Sequence, residues 1–451
     1  MRARRAALDA LEAVRSRDAY ANLVLPAVLA RHHLTGTEAA RATDLTYGTL
    51  RALGTLDRVI GACSSRPLDR IDPSTLDVLR LGAYQVLGDR VPVHAAVSTS
   101  VDLARERSAR TTGFVNAVLR AVGRHDLDGW ASRLTRPGSR DELAFRHRHP
   151  AWVVEALGAA LDDPARLTAV LEADNAPPSV TLAALPGRST QEELVAGGAV
   201  PGRWAPTAAV LTSGAPGRVP AVAQGRARVQ DEGSQLVTLA LTRGDVDAGV
   251  ATLPWLDMCA GPGGKTAMLA AVAAERGDAV LAAERHLHRS RLVAAAVTAA
   301  DLDGTAAAVQ ADARQGPWAP GSFGRVLLDA PCTGLGALRR RPEARWRRQP
   351  DDLTRLVPLQ RELLAAGVEA LAPGGLLGYV TCSPHVEETV EVVEAILGSR
   401  RDVVVEHAPG LLSGVPDAAR GPFVQLWPDR HGTDAMFLAL LRRTGARPSP
   451  R

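Results

Sequence analysis

Two short apolar runs in the 451-residue chain lead to a cysteine: Val326-Leu327-Leu328-Asp329-Ala330-Pro331-Cys332 and Leu377-Gly378-Tyr379-Val380-Thr381-Cys382. A single cysteine at the end of a strand is usually a small buried hydrophobe. Two at the functional edge of one sheet can instead be a reactive pair, because a thiolate is a strong nucleophile near neutral pH. One reaction calls for such groups. C5 of cytosine is too weakly nucleophilic to attack an activated methyl group, whereas a thiolate added at C6 makes the ring enamine-like and C5 reactive. That chemistry needs a cysteine, a methyl donor and an acid close to N3. The remaining cysteines, Cys63 and Cys259, are scattered and no C-x-x-C spacing occurs, so neither a zinc knuckle nor a disulfide framework is expected. His147 and His149 are flanked by arginines, which repel a cation, and no metal site is expected there either.

A methyl donor needs a place to bind. The run Cys259-Ala260-Gly261-Pro262-Gly263-Gly264-Lys265-Thr266 follows the apolar stretch Trp255-Leu256-Asp257-Met258 and opens an alanine-rich helix. Glycines remove Cβ atoms where backbone must approach a ligand, and a helix start directs free N–H groups at it. A phosphate-binding P-loop would need glycine five residues before the Gly-Lys-Thr end. Cys259 stands there and excludes it. The next strand ends in Glu284, about 20 residues after the turn, where an acid commonly bonds ribose hydroxyls. The strand after that ends at Asp312. Either acid alone would more often cap a helix, but at successive strand ends of one sheet the two outline a nucleoside pocket. Lys265 is the single lysine among 53 basic residues, so an ammonium is retained at a position where a guanidinium was the alternative.

The elements that must position these residues alternate from Trp255 onward. Strands are expected at 279–284, 306–311, 324–329, 375–381, 402–406 and 435–441, with helices at 286–300, 351–371 and 386–398. This pattern is a doubly wound, Rossmann-like α/β domain with a parallel sheet, over 241–443. Residues 1–130 read as amphipathic helices and predict an all-α bundle. A connection follows at 131–150, then a small α+β module at 151–240 that is expected to contact RNA, with a disordered tail at 444–451. The net charge of +4 with pI near 9.1 is weak support for a polyanionic partner. No signal peptide or charge-free apolar span is present, so a cytoplasmic protein, without membrane association, is expected; a monomer is the working expectation.

The segments Val91-Pro92-Val93-His94-Ala95-Ala96-Val97-Ser98-Thr99-Ser100-Val101-Asp102-Leu103-Ala104 and Thr112-Gly113-Phe114-Val115-Asn116-Ala117-Val118-Leu119-Arg120 resemble the RNA-binding antitermination factor NusB. The resemblance implies RNA contact by this domain. The glycine-rich run, Asp329-Ala330-Pro331-Cys332, Thr381-Cys382-Ser383 and the late Gly432-Thr433-Asp434-Ala435-Met436-Phe437 together resemble the RNA cytosine-5 methyltransferases of the NOL1/NOP2/Sun family. With a NusB-like domain in front, the resemblance implies small-subunit (16S) ribosomal RNA as substrate and S-adenosylmethionine as methyl donor. It places Cys259, Ala260, Gly261, Pro262, Gly263, Gly264 and Lys265 at the donor's methionine portion, Glu284 at its ribose, and Asp312 at its adenine end. Asp329 lies beside both donor and cytosine near N3. The family's Thr-Cys cysteine is the nucleophile, which assigns Cys382 to attack on C6 and Cys332 to product release. Gly261 replaces a more usual alanine, and Glu284 a usual aspartate. The run Arg339-Arg340-Arg341-Pro342-Glu343-Ala344-Arg345-Trp346-Arg347-Arg348 leaves the same sheet edge as Cys332. Arg339, Arg340, Arg341 and Arg345 are expected to clamp RNA phosphates, with Trp346 stacking on a base or anchoring the loop. Two other readings are a transfer RNA methyltransferase with the same core, which the front domain disfavours, and a catalytically inactive RNA-binding assembly factor, which the intact Lys265, Asp329, Cys332 and Cys382 disfavour.

Overall fold

The computed structural model describes residues 1–88 and 91–445, and the chain divides into two compact units. The first comprises Met1–Ala176 together with Leu338–Gln349, and the second the remainder. The first unit is helical, built around Arg2–Ser16, Gly36–Cys63, Pro73–Gly88, Val93–Arg107 and Thr112–Val122. Leu8, Leu11, Leu45, Leu56, Leu79, Leu81, Leu103 and Leu119 recur at helical spacing and meet in one core.

Residues 131–150 are not a connection. Leu127–Leu134 and Arg140–Arg146 are helices. Asp126 Oδ1 accepts from Gly129 N at 2.8 Å and Ser139 Oγ from Glu142 N at 3.1 Å, while Glu142 returns a carboxylate to Gly138 N at 2.6 Å. Trp130 and Phe145 are buried in the core. Helices of seven or eight residues are too short to show a period, and the caps that start them look like loop composition. Ala151–Ala160 and Leu167–Asn175 likewise belong to the helical unit, so the small module begins after Ala176 rather than at 151.

The second unit carries two sheets. The smaller is antiparallel, formed by β1 (Val180–Ala184), β2 (Ala199–Pro201), β3 (Ala208–Leu211) and β4 (Ala227–Val229) in the order β2-β3-β1-β4. The larger contains β5 (Trp255–Met258), β6 (Val280–Glu284), β7 (Ala306–Gln310), β8 (Phe323–Asp329), β9 (Leu371–Thr381), β10 (Val403–Glu406), β11 (Ala419–Arg420), β12 (Phe423–Gln425) and β13 (Phe437–Arg443). Its order is β11-β12-β13-β9-β8-β5-β6-β7, with β10 also on β13. Strands β7, β6, β5, β8 and β9 are mutually parallel. The rest are antiparallel: β13 pairs β9 in reverse, Phe437 opposite Thr381 and Leu441 opposite Leu377. The sheet is therefore mixed, because β10 returns to β13 without a crossover helix and the short β11 and β12 extend that edge. Alternate residues face two cores. Trp255, Leu327 and Val380 join the helices Glu232–Arg243 and Gly264–Arg276, and Leu256, Val326, Leu377 and Tyr379 join Asp352–Ala370 and Val390–Ser399.

Thr444 N donates to Asp402 O at 2.8 Å. The rest of the expected tail, 446–451, lies outside the described residues. No helix among the described residues is long and apolar enough to cross a membrane.

Candidate active site

β5 and β8 run parallel as neighbours, but the chain leaves β5 toward β6 on one side and returns to β8 on the other, so their carboxyl ends open a crevice at a topological switch point. β9 lies on the far side of β8, with Asp329 opposite Val380. The loops after β5, β8 and β9 therefore meet at one edge.

Four side chains from these loops and the helix start converge. Lys265 Nζ donates to Asp329 Oδ2 at 2.8 Å, and the sulfurs of Cys332 and Cys382 are 3.5 Å apart. Burial alone would lower the Lys265 pKa. The attraction of Asp329, with smaller contributions from Cys382 and Asp257, outweighs it and leaves the ammonium firmly charged. The Cys332 thiol is pushed well above its usual range by its hydrogen bond with Cys382, by burial and by nearby acids including Glu388. Burial and the contact with Cys382 thus favour the protonated form of Cys332, and Cys382 lies within the electrostatic reach of the Lys265 ammonium.

The Cys332 loop is pinned by groups that the sequence did not single out. Glu388, in the turn Val386–Glu388, is fully buried. Its Oε1 accepts from Thr333 N at 2.7 Å and from Gln360 Nε2 at 3.0 Å, and its Oε2 accepts from the Thr333 hydroxyl. Gln360 Nε2 also donates to Pro331 O at 2.9 Å. The Thr333 and Ser383 hydroxyl oxygens are 3.1 Å apart. Gly336 N donates to Cys382 O, and Ala435 N to Gly336 O, both at 2.9 Å. A Cβ on Gly336 would fall 2.2 Å from Ala435 O, so the late Gly432–Phe437 motif braces the Cys382 turn only because residue 336 is glycine.

The glycine-rich loop is equally constrained. Gly263 has φ +99° and a Cβ there would meet Ala296 Cβ at 2.8 Å. Arg228 on β4 donates to Gly263 O at 3.1 Å, and Thr266 Oγ1 donates to Asp257 Oδ2 at 2.6 Å. Burial pushes the Asp257 carboxyl up to about 7 and the Cys259 thiol upward too. Glu284 is 3% exposed. It accepts from Gly261 N at 3.1 Å and His286 N at 2.9 Å, and Arg289 lies 3.4 Å from its Oε2. Asp312 caps its own turn instead of standing free: Arg314 donates through Nε at 3.0 Å and Nη2 at 2.7 Å, and this pairing holds the carboxyl down to about 2.

Residues 338–349, which hold the arginine-rich run, belong to the helical unit. Arg345 is fully buried, donating to Arg148 O and Asn175 Oδ1 at 2.9 Å and to Asp174 O at 3.2 Å. Trp346 Nε1 donates to Leu50 O at 3.0 Å, and its ring fills the space where a side chain on Gly54 would stand. Of the two roles expected for Trp346, the structure shows the anchor. Arg339 is also buried, whereas Arg341 is exposed and stacks over Tyr20 at 5.1 Å. Arg340 is half-buried. Composition cannot separate a basic loop that meets RNA from one whose guanidiniums cap backbone carbonyls.

Comparison with known proteins agrees with this division. Residues 247–442 match the family model for the 16S rRNA methyltransferase RsmB/F, and residues 1–124 match that of the NusB family. A putative methyltransferase of Mycobacterium tuberculosis is 50% identical, over 98% of this chain and 96% of its own. The ribosomal RNA small subunit methyltransferase B of Vibrio cholerae is 32% identical over 98% of both. Among solved structures, PH0851 superimposes with a TM-score of 0.82 at 21% identity, covering 98% of each chain. A methyltransferase homologue from Pyrococcus horikoshii gives 0.55 at 24% identity, covering 68% of this chain and all of that one. At these identities the two structures speak to the fold.

Proposed function

Because the chain belongs to the 16S rRNA methyltransferase RsmB/F family, we propose that it transfers a methyl group from S-adenosylmethionine to C5 of a cytidine in small-subunit (16S) ribosomal RNA, through a covalent bond between the Cys382 sulfur and C6. The observation that carries this reading is the meeting of Lys265, Asp329, Cys332 and Cys382 at one sheet edge, with contacts of 2.8 and 3.5 Å.

The residues around the glycine-rich loop fit the methyl donor. Gly263 in the left-handed region, the first turn of the Gly264–Arg276 helix and a buried carboxylate at the end of β6 form a cradle for a nucleoside carrying a polar amino-acid tail. Asp257 Oδ1 and Gln230 Oε1 are buried without a hydrogen-bond partner and leave acceptors available beside it. Cys259 through Lys265 would hold the methionine portion, Glu284 the ribose and Asp312 the adenine end. When bound, the donor supplies an electrophilic methyl group and departs as a thioether.

The chain's own residues do the rest. The Cys382 thiolate, facing the Lys265 ammonium, forms a bond to C6, and the electron pair released into the ring makes C5 nucleophilic. Asp329 bonds the base near N3 and, held by Lys265, keeps one orientation. After C5 is methylated it still carries its proton. Product forms when a base removes that proton, the C6–S bond breaks and Cys382 leaves as thiolate. Cys332, 3.5 Å from that sulfur, is the group placed to accept the proton once its own has passed to water. A target cytidine inside a helix could not reach these groups, so it must be unpaired or flipped out.

The two thiol roles are separable by incubating wild type, Cys332→Ala and Cys382→Ala with labelled donor and RNA. Cys332→Ala should accumulate a covalent protein–RNA adduct, and Cys382→Ala should be inactive without one. An exchange of these outcomes would reverse the assignment.

A further inference from the structure

Cys332 is fixed from both sides by one buried carboxylate. Glu388 takes the N–H of the residue after it, Thr333, at 2.7 Å, and shares Gln360 with the carbonyl of the residue before it, Pro331. The same Glu388 follows Cys382 by six residues, and its own carbonyl accepts from Tyr379 Oη at 2.7 Å, on the strand that delivers Cys382. The Cys332 loop is therefore held by the Glu388 carboxylate and the Cys382 strand by its main-chain carbonyl, so one residue touches both. Thr333 and Ser383, each immediately after its cysteine, complete the tie. A buried carboxylate with three donors is expensive to build and loses much if one is removed, and a purely structural tie could have used neutral groups.

We propose that Glu388 is the positioning residue for product release: it holds the Pro331–Thr333 segment so that the Cys332 sulfur lies against Cys382 and over the C5 proton. This inference rests on the reading of Cys382 and Cys332 given above. Glu388 does not touch the base. Its carboxylate is one of the nearby acids that, after the Cys382 hydrogen bond and burial, favour the protonated form of Cys332. Once C5 is methylated, the fixed loop presents Cys332 as the base.

A Glu388→Gln variant tests this. Its amide keeps one acceptor oxygen but removes the charge and puts an N–H₂ group where Oε2 accepted from the Thr333 hydroxyl, so the hold on the loop is weakened. Steady-state methylation should fall roughly 10- to 100-fold, the effect of leaving buried donors unpaired. The first turnover should stay near the wild-type rate, and a covalent RNA adduct should accumulate as it does in Cys332→Ala. Thr333→Val, which keeps the shape and removes only the hydroxyl donor, should show the same pattern with a smaller loss. Both variants are compared for S-adenosylhomocysteine binding and melting temperature. Adduct accumulation in either variant with donor affinity retained supports the proposal. A slow first turnover with no adduct in Thr333→Val, or unchanged turnover in Glu388→Gln, overturns it. If Glu388→Gln does not fold, Thr333→Val alone decides. Should wild type itself form no adduct, and Cys382→Ala remain active, the methylation mechanism fails before Glu388 is at issue.

Discussion

Gly261→Ala is a one-methyl change whose consequence can be worked from the structure. An added Cβ would lie 2.4 Å from Glu284 Oε2, 2.7 Å from Arg289 Nε and 3.0 Å from Arg289 Cβ. Carbon needs about 3.5 Å from such neighbours, so the Glu284 carboxylate must retreat by roughly 1 Å and gives up its bond from Gly261 N. A hydrogen bond to a charged group contributes about 1.5–3 kcal/mol, which corresponds to a weakening of donor binding by about 10- to 100-fold. Glu284→Asp shortens the acid by one methylene and withdraws it from Gly261 N, with a loss of the same order. In the double variant the alanine methyl occupies the space the shorter acid vacates, so the two changes compensate. Affinity for S-adenosylhomocysteine, measured by titration calorimetry, should return to within about threefold of wild type, because residues in direct contact couple strongly. Full affinity in Gly261→Ala, or losses that simply add in the double variant, would refute the reasoning. The two departures from the family pattern would then be independent.

Asp257 is buried with its carboxyl raised to about 7 from an ordinary value near 3.8. The folded state therefore favours its neutral form, and this contribution to stability is full below about pH 4 and lost as pH rises through 7. Asp257→Asn should flatten the melting temperature against pH across that window, and an unchanged slope would count against it. Trp346→Ala should destabilise the helical unit by about 3 kcal/mol, as removal of large packed aromatics does, read by urea denaturation. RNA affinity of the folded variant should stay near wild type, because the indole is spent on Leu50 and Gly54. The raised Cys332 thiol makes its thiolate scarce, so the release step should accelerate as pH rises toward 9 and adduct should persist longest at low pH, as a quench series on denaturing gels would show.

The parallel half of the sheet and its cysteine-bearing ends were legible because strand period, glycine turn and terminal acid repeat in one order. The antiparallel β13 was not, since Phe437–Arg443 is as apolar as a parallel strand and only its pairing reveals direction. Glu388 was hidden in a run of acids, Glu387 and Glu388, of which one is exposed and the other wholly buried. The burial of Arg345 was not legible for a physical reason: in a chain with one lysine, guanidiniums serve carbonyl capping and packing as well as surface charge. The Gly261–Glu284 pairing was visible as two separate oddities, and only the 2.4 Å contact shows them to be one.

The most direct test of the central claim is nucleoside analysis of small-subunit ribosomal RNA methylated by the purified protein, wild type beside Cys382→Ala. The expected product is 5-methylcytidine with wild type and no methylated nucleoside with Cys382→Ala. A methyl group on a ribose or an exocyclic nitrogen, or 5-methylcytidine formed without Cys382, would contradict it.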